Sequence, residues 1–465
     1  MTKKVFALFI ILFALFMPKP VSAHAFGILY NLPVPFWLYL YGAAAALLVS
    51  FLIIGYFINK KDHEIDYPIK PLFSLSNNFQ PFLKAISVFL FLLTILTGLF
   101  GDDSSFSNFN MTFFWVLFLL GFTYFSAIVG EVYSVMNPWR VLVEWFEKFH
   151  GQIKGQFKYP KKSSYWPAFV LYFLLIWIEL FGTSSPYKLS LILLQYTLIN
   201  FFGAFAFGKE SWFKYCEFFS IFFRLVSRVS IFEKRNKRVF LRPPFVGLIK
   251  ESVESFSLLV FILFMLSSTA YDGFHTTLPW IRLSIKFSES FGGVLGDNGY
   301  QIIQRTGLLL SPFVFLAIYL ILVGLMKILM RSKLTLSELA RKFAFSLIPI
   351  ALVYNVAHYY TLLLTQGQEI IRLISDPFGF GWNLFGTANF SSNPAILDAG
   401  FVWHSQVAII LIGHIAAVYL SHIVAIELFP SQKKAVFSQL PILALMVIYT
   451  TAGLWILSQP IRSGF

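Results

Sequence analysis

Ten stretches of apolar residues, each close to the length that crosses a lipid bilayer as a helix, dominate this sequence. The hydrocarbon core requires about 20 such residues. Because hydrocarbon offers no hydrogen-bond partner to backbone N–H and C=O groups, a spanning stretch must satisfy them internally as a helix. The stretches lie near 36–58, 82–100, 112–135, 166–183, 186–208, 252–271, 306–330, 343–365, 403–428 and 437–458. The sequence therefore predicts an all-α fold, a polytopic transmembrane helix bundle of about ten spans.

Composition points to the same solvent for most of the chain. Charged residues make up 12% of the sequence and hydrophobic residues 57%, whereas soluble domains carry about 25% charged residues. No interval longer than about 45 residues lacks a spanning stretch, so a separate soluble domain has no room. We expect one transmembrane helical domain over 24–465.

The first 23 residues have the pattern of an export signal. Lys3 and Lys4 precede an apolar run over 5–17, and the segment ends in Val21-Ser22-Ala23 with small residues at the cleavage positions. The run has 13 residues, which is short for an uncleaved spanning helix. We therefore predict a signal peptide over 1–23 and a mature chain that begins at His24.

The net charge of +14 is explained by membrane orientation. If the mature amino terminus is outside, 27 of the 36 Lys and Arg residues fall on cytoplasmic segments and six fall outside. This asymmetry follows the positive-inside rule and makes nucleic-acid binding unnecessary. The sequence predicts a multi-pass protein of the bacterial inner membrane with both mature termini in the periplasm.

Three segments between the spans are long enough to form structure. In 211–232, four charged residues form one narrow stripe on an otherwise apolar helix, which predicts a helix lying in the membrane interface. The basic residues of 234–238 follow it and would attract anionic lipids. The alternative is a helix packed under the bundle. The loops 272–305 and 366–402 are predicted to be periplasmic, and the second to cap the outer mouth of the bundle.

Polar side chains at membrane depth are the candidate functional residues, because burying them in lipid is costly. On 343–365, residues at steps of three and four form one stripe that must face protein or water. On 403–428, three histidines recur along the helix. The candidates for one polar chamber are Tyr354, Asn355, His358, Thr361, His404, His414 and His422.

Some of these histidines are also candidate metal ligands. Imidazole binds copper, zinc, iron and haem, and the free α-amine of His24 beside its own Nδ1 would suit Cu(II). Copper and haem are the candidate cofactors, and hydrogen bonding between helices or proton relay are the alternatives. The candidate metal ligands are His24, His275, His358, His404 and His414.

Acidic residues near membrane depth include Glu131, Glu179 and Asp272. Glu131 precedes a helix exit and is predicted to pair with Arg140 or to gate a polar path. The single cysteine, Cys216, excludes an intrachain disulfide and the CxxCH attachment site of c-type haem. No GxSxG, HExxH, Walker A or GxGxxG element is present to indicate a reaction, so the sequence leaves open whether the protein is an enzyme.

Several motifs spread over the mature chain resemble an uncharacterised family of bacterial polytopic membrane proteins that is often labelled fenitrothion hydrolase-like. These motifs lie at 24–27, 137–140, 357–368, 376–387, 413–422 and 438–460. The resemblance implies hydrolysis of an organophosphate ester, for which a metal-bound hydroxide held by histidines is the natural chemistry. It transfers no catalytic residue to this chain.

Together these features predict a transport or redox-support protein with a histidine-lined polar site in the outer half of the membrane, binding copper or haem. Two other functions fit the same residues. One is a metal-free, proton-coupled secondary transporter, and the other is a membrane-embedded hydrolase of organophosphates.

Overall fold

The computed structural model describes residues 35–58, 70–74, 79–182, 185–235, 238–249, 251–429 and 431–459. The predictions for the signal peptide and for His24 lie outside these residues.

The first half of the described chain is helical, with one short strand. Strand β1 spans Lys70–Ser74, between α1 and α2. A four-residue helix, Tyr133–Met136, connects α3 to α4. The helices are α1 Phe36–Phe57, α2 Phe79–Phe100, α3 Phe109–Val129, α4 Pro138–His150, α5 Trp166–Phe181, α6 Pro186–Phe207, α7 Lys209–Tyr215 and α8 Phe218–Ser227.

The second half begins with a hairpin and continues as helices. Strands β2 Phe232–Arg235 and β3 Arg238–Leu241 pair antiparallel, and β1 pairs with the other edge of β3. Short helical turns lie at Val246–Leu248, Gly292–Leu295, Gly296–Asn298, Ala344–Ser346, Gln366–Glu369 and Ile370–Leu373. The longer helices are α9 Phe256–His275, α10 Leu278–Ser290, α11 Gly299–Met330, α12 Leu336–Phe343, α13 Leu347–Thr365, α14 Ala399–Leu428, α15 Gln432–Ser438 and α16 Leu440–Ser458.

The all-α class is confirmed, and nine of the ten predicted spans are found in the part of the chain that the structure describes. In the described ranges, nine helical segments are long and apolar enough to cross a membrane: those containing α1, α2, α3, α6, α9, α11, α13, α14 and α16. The remaining predicted span is α5, whose 16 residues reach about 24 Å at 1.5 Å per residue. It is thus shorter than the hydrocarbon core of about 30 Å.

Helix α9 lies at the centre of the bundle. It is buried from Ser257 to Tyr271, and its small polar residues Ser267 and Ser268 are of the kind that lets membrane helices pack closely. The side chain of Ser255 begins the helix by accepting a hydrogen bond from the N–H of Leu258. Helices α5, α11 and α13 pack around α9, and α13 in turn packs on α14.

Helix α3 contains an unusual segment. Ten of its residues, Thr112–Gly121, form a π-helix between two α-helical ends. π-Helices are usually single turns and are frequent at functional sites.

The segment over 211–232 differs from the interfacial helix predicted for it. The chain breaks at Cys216 and Glu217 into α7 and α8, and α8 is buried along most of its length. It packs against α3 and α5. The aromatic residues that suggested a lipid-facing surface fill space inside the protein instead, as in the alternative interpretation.

The two segments predicted as long loops are partly helical. In 272–305, α9 continues to His275, α10 follows, and α11 begins at Gly299. In 366–402, two short helical turns precede an irregular stretch, and α14 begins at Ala399.

Candidate functional site

A carboxylate in the last turn of α9 forms the centre of the candidate site. One oxygen of Asp272 lies 3.1 Å from His358 Nε2 and also accepts a hydrogen bond from the hydroxyl of Tyr359. Its other oxygen lies 3.9 Å from Nδ1 of His275, one turn further along α9. Asp272 therefore sits between two imidazoles and a phenol.

The backbone fixes the orientation of one of these imidazoles. His275 Nδ1 lies 2.6 Å from the carbonyl oxygen of Asp272 and 3.2 Å from that of Tyr271. Because a carbonyl oxygen only accepts hydrogen bonds, Nδ1 carries the proton. In neutral His275, Nε2 is then the unprotonated nitrogen.

A second carboxylate lies near the first. Glu179, near the end of α5, is half-buried and interacts electrostatically with Asp272 and with Tyr359. Three helices, α5, α9 and α13, thus contribute ionisable groups to one place. We call Glu179, Asp272, His275, His358 and Tyr359 the acidic cluster.

A glycine allows α9 and α13 to approach at this point. A Cβ atom on Gly273 would lie 3.2 Å from His358 Cε1 and 2.6 Å from Ile456 Cγ2. The side chains of Asp272 and His358 remain 19% and 12% exposed. The pair is therefore enclosed by packed helices without being sealed.

The rest of the predicted stripe on α13 takes different positions. Tyr354 is buried, and its hydroxyl has no hydrogen-bond partner among the described residues. The side-chain oxygen of Asn355 also lacks one in the described ranges. Thr361 is half-buried, and its carbonyl accepts a hydrogen bond from Thr365.

The histidines of α14 do not join His358. His404 is exposed, with Nε2 3.3 Å from the hydroxyl of Tyr39 and Nδ1 2.7 Å from the carbonyl oxygen of Gly400. His414 is buried and donates from Nδ1 to the carbonyl of Ile410, while its Nε2 has no partner in the described part of the chain.

His422 has partners of its own. Its Nδ1 accepts a hydrogen bond from Gln439, and its Nε2 lies 3.2 Å from the carbonyl oxygen of Ile58. Among the described contacts, the imidazoles of His358, His404 and His414 bind different neighbours and are not brought together. Over the described ranges, no three His, Cys, Asp or Glu side chains come together as a metal site.

Glu131 also differs from its predicted environment. Helix α3 ends at Val129 instead of continuing to 135, so Glu131 lies beyond the helix and is exposed. Arg140, its expected partner, binds Glu144 at 3.2 Å and Glu210 at 2.9 Å. Glu131 therefore lies at the protein surface, beyond the end of the helix that was predicted to contain it.

Among the described residues, the fully buried carboxylate is Glu217, which the sequence predicts only as a member of the charged stripe in 211–232. It lies at the start of α8 and accepts hydrogen bonds from the backbone N–H groups of Phe219 and Ser220. Asn137 and Tyr196 donate the other two. Glutamate is not among the residues preferred at a helix N-cap, so the sequence carried little signal for this role.

The long apolar helices of the fold define a multi-pass helical membrane protein. No family model matches the chain, and no curated protein or solved structure matches it significantly. The likeness to the hydrolase-labelled family thus stays a prediction from the sequence motifs.

Proposed function

We propose that the protein is a proton-coupled secondary transporter whose proton-binding site is the acidic cluster. The observation that supports this proposal is the contact of His358 with Asp272 between α9 and α13. Ionisable groups at membrane depth are costly to keep there, and in transporters they form ion and proton pathways.

The composition of the acidic cluster favours a cationic substrate. Histidine is the side chain that changes charge near neutral pH. With both imidazoles neutral, the carboxylate of Asp272 attracts a cation, and Glu179 lies beside it as a second acidic group. Proton uptake by His358 replaces part of that attraction with an internal ion pair. Proton and cation therefore compete for one site, and linkage makes each lower the affinity for the other.

The proposed orientation places the acidic cluster on the periplasmic side. Under the positive-inside assignment, α5, α9 and α13 all run outward. Glu179, Asp272 and His358 lie toward the carboxyl ends of these helices. One orientation thus brings all three contributions to the same membrane surface.

The metal-centred alternatives have less geometric support. Copper or haem binding and metal-assisted hydrolysis both call for several donors around one point. Within the described residues, His404 and His414 bind neighbours other than Asp272, and no three His, Cys, Asp or Glu side chains come together as a metal site. The proton-coupled alternative needs only the contacts that are formed.

The test uses purified protein in proteoliposomes that carry an imposed pH gradient and an entrapped fluorescent pH indicator. Sodium, potassium, choline and spermidine are added in turn. We expect at least one cation to dissipate the gradient in the wild type and not in Asp272→Asn. Asp103→Asn is the matched control, because Asp103 is an exposed aspartate outside the acidic cluster.

Two further measurements separate the alternatives. A chelator leaves proton-coupled exchange unchanged and abolishes a metal-dependent activity. Release of nitrophenol from a nitrophenyl organophosphate reports hydrolysis. If none of the four cations moves protons in the wild type, the proposal of cation exchange is wrong, and if Asp272→Asn exchanges normally, the site assignment is wrong.

A further inference from the structure

Two adjoining cavities lie between α2, α3, α4, α6, α7 and α8, and their lining contains no residue of the acidic cluster. The polar cavity has a volume of about 270 Å³, and its charged lining residues are Glu131, Arg140, Glu210, Lys214 and Arg224. The apolar cavity has a volume of about 150 Å³. Tyr133 lines both cavities.

The apolar cavity runs along two helices into the bundle. On α2 it is lined from Ser87 to Thr94, which is about 10 Å at 1.5 Å per residue. Its other wall is the π-helical part of α3, from which Phe113, Leu117 and Phe118 line the space. An elongated apolar space of this kind suits an acyl chain.

The charges of the polar cavity are only partly paired among the described residues. Arg140 binds Glu144 and Glu210. Neither Lys214 nor Arg224 has a carboxylate within 4.0 Å, and Glu131 has no cation within that distance, in the described ranges. The ammonium of Lys214 lies 4.8 Å from the centre of the Tyr215 ring, and Arg224 donates a hydrogen bond to the carbonyl of Lys214. Among the described residues, two cations without a carboxylate and one carboxylate without a cation therefore line the cavity, and their charges suit a ligand that carries both signs.

Tyr133 borders both cavities and carries a buried hydroxyl. The side chain is 2% exposed, and its oxygen has no hydrogen-bond partner in the described part of the chain. Buried hydroxyls are normally hydrogen-bonded. An ester or phosphate oxygen near the Tyr133 hydroxyl would accept its proton.

We infer that the composite cavity binds one phospholipid whose headgroup carries a phosphate and a primary ammonium. Lys214 and Arg224 bind the phosphate with charge-assisted hydrogen bonds. Glu131 binds the ammonium, and one acyl chain fills the apolar cavity. Phospholipids without an ammonium lose the contact with Glu131, and choline lipids lack the N–H donors for it.

The test titrates delipidated protein in detergent with phosphatidylethanolamine, phosphatidylglycerol and phosphatidylcholine of identical acyl chains. Bound lipid is counted by native mass spectrometry. We expect the ethanolamine lipid to bind about two- to fivefold more tightly than the other two, as for a partly exposed ion pair. Glycerophosphoethanolamine, which lacks acyl chains, is expected not to compete at the same concentration.

Variants assign the contacts. Glu131→Gln removes the preference for the ethanolamine lipid and leaves binding of the glycerol lipid unchanged, whereas Lys214→Gln weakens all three lipids. Both side chains are exposed, so both variants are expected to fold, and Lys158→Gln is the matched exposed control. Leu117→Trp fills the apolar cavity and weakens all three.

Three results overturn the inference. They are equal affinities for the three phospholipids, an unchanged preference in Glu131→Gln, and effective competition by the headgroup alone. The last result would show a soluble phosphate ligand instead of a lipid.

Discussion

Replacing Glu217 by glutamine changes the shape of the side chain very little, yet we expect it to destabilise the protein strongly. The carboxylate accepts four hydrogen bonds, two at each oxygen. Oε1 accepts from Tyr196 and from the N–H of Phe219, and Oε2 accepts from Asn137 and from the N–H of Ser220. Every partner is a donor, so the amide NH₂ of glutamine would face two donors, and the two hydrogen bonds at that position would be lost. Hydrogen bonds to a charged group contribute about 1.5–3 kcal/mol each, so losing two of them costs about 3–6 kcal/mol.

The assay is equilibrium unfolding in mixed detergent micelles, followed by tryptophan fluorescence. Glu210→Gln is the control, because the Glu210 side chain is 73% exposed in its ion pair with Arg140. Such a pair contributes less than about 1 kcal/mol. If Glu217→Gln unfolds within about 0.5 kcal/mol of the wild type, the assignment of four accepted hydrogen bonds is wrong.

Three more perturbations test separate parts of the structure. Burial alone would raise the pKa of Glu144, but its lysine and arginine neighbours hold the pKa below its ordinary value. A depressed acid stabilises the fold above its unfolded pKa, so the stability of the wild type relative to Glu144→Gln is expected to fall between about pH 5 and about pH 3 in unfolding titrations. Burial raises the pKa of the Cys216 thiol to about 12, and we expect a maleimide at neutral pH to label less than about a tenth of the native protein but all of the unfolded protein. Gly273→Ala pushes a methyl group against His358 and is expected to cost about 1–3 kcal/mol, whereas Gly42→Ala, which meets open space, changes the unfolding free energy by less than about 0.5 kcal/mol.

The fold was largely predictable because lipid imposes its requirement on each helix separately. A run such as that of α9 is long and apolar enough to be helical in lipid whatever its neighbours are, whereas its burial depends on the helices that pack around it. The segment at 211–232 was harder, since an apolar helix with a charged stripe is equally compatible with lipid head groups and with a packed interior. Only the position of α8 against α3 and α5 distinguishes the two.

The site was less predictable because its contacts join helices that are distant in sequence. His358 was identified as a candidate from its depth, but its partner Asp272 lies 86 residues away. The packing of α9 on α13, with Gly273 at the contact, brings the two together. Sequence adjacency favoured the histidines of α14, whose imidazoles bind their own helix and other neighbours.

The two carboxylates Glu131 and Glu217 show how a small error in a helix boundary moves a site. Ending α3 at 135 places Glu131 inside the membrane, whereas its actual end at Val129 leaves Glu131 exposed. Glu217 was assigned to the polar stripe of an interfacial helix, although it is 0% exposed. Helix ends depend on caps and tertiary contacts that hydropathy does not report.

The most direct test of the account is the protonation of His358 in the folded protein. The chain has eight histidines, and ¹⁵N labelling of their rings, with His358→Gln to assign the signal, reports the charge state of each. We predict that the ring signal of His358 differs between the wild type and Asp272→Asn at the same pH, because the variant removes the carboxylate that lies 3.1 Å from Nε2, and that Asp103→Asn leaves the signal unchanged. A His358 signal that is identical in the wild type and in Asp272→Asn would contradict a proton-binding site at the acidic cluster.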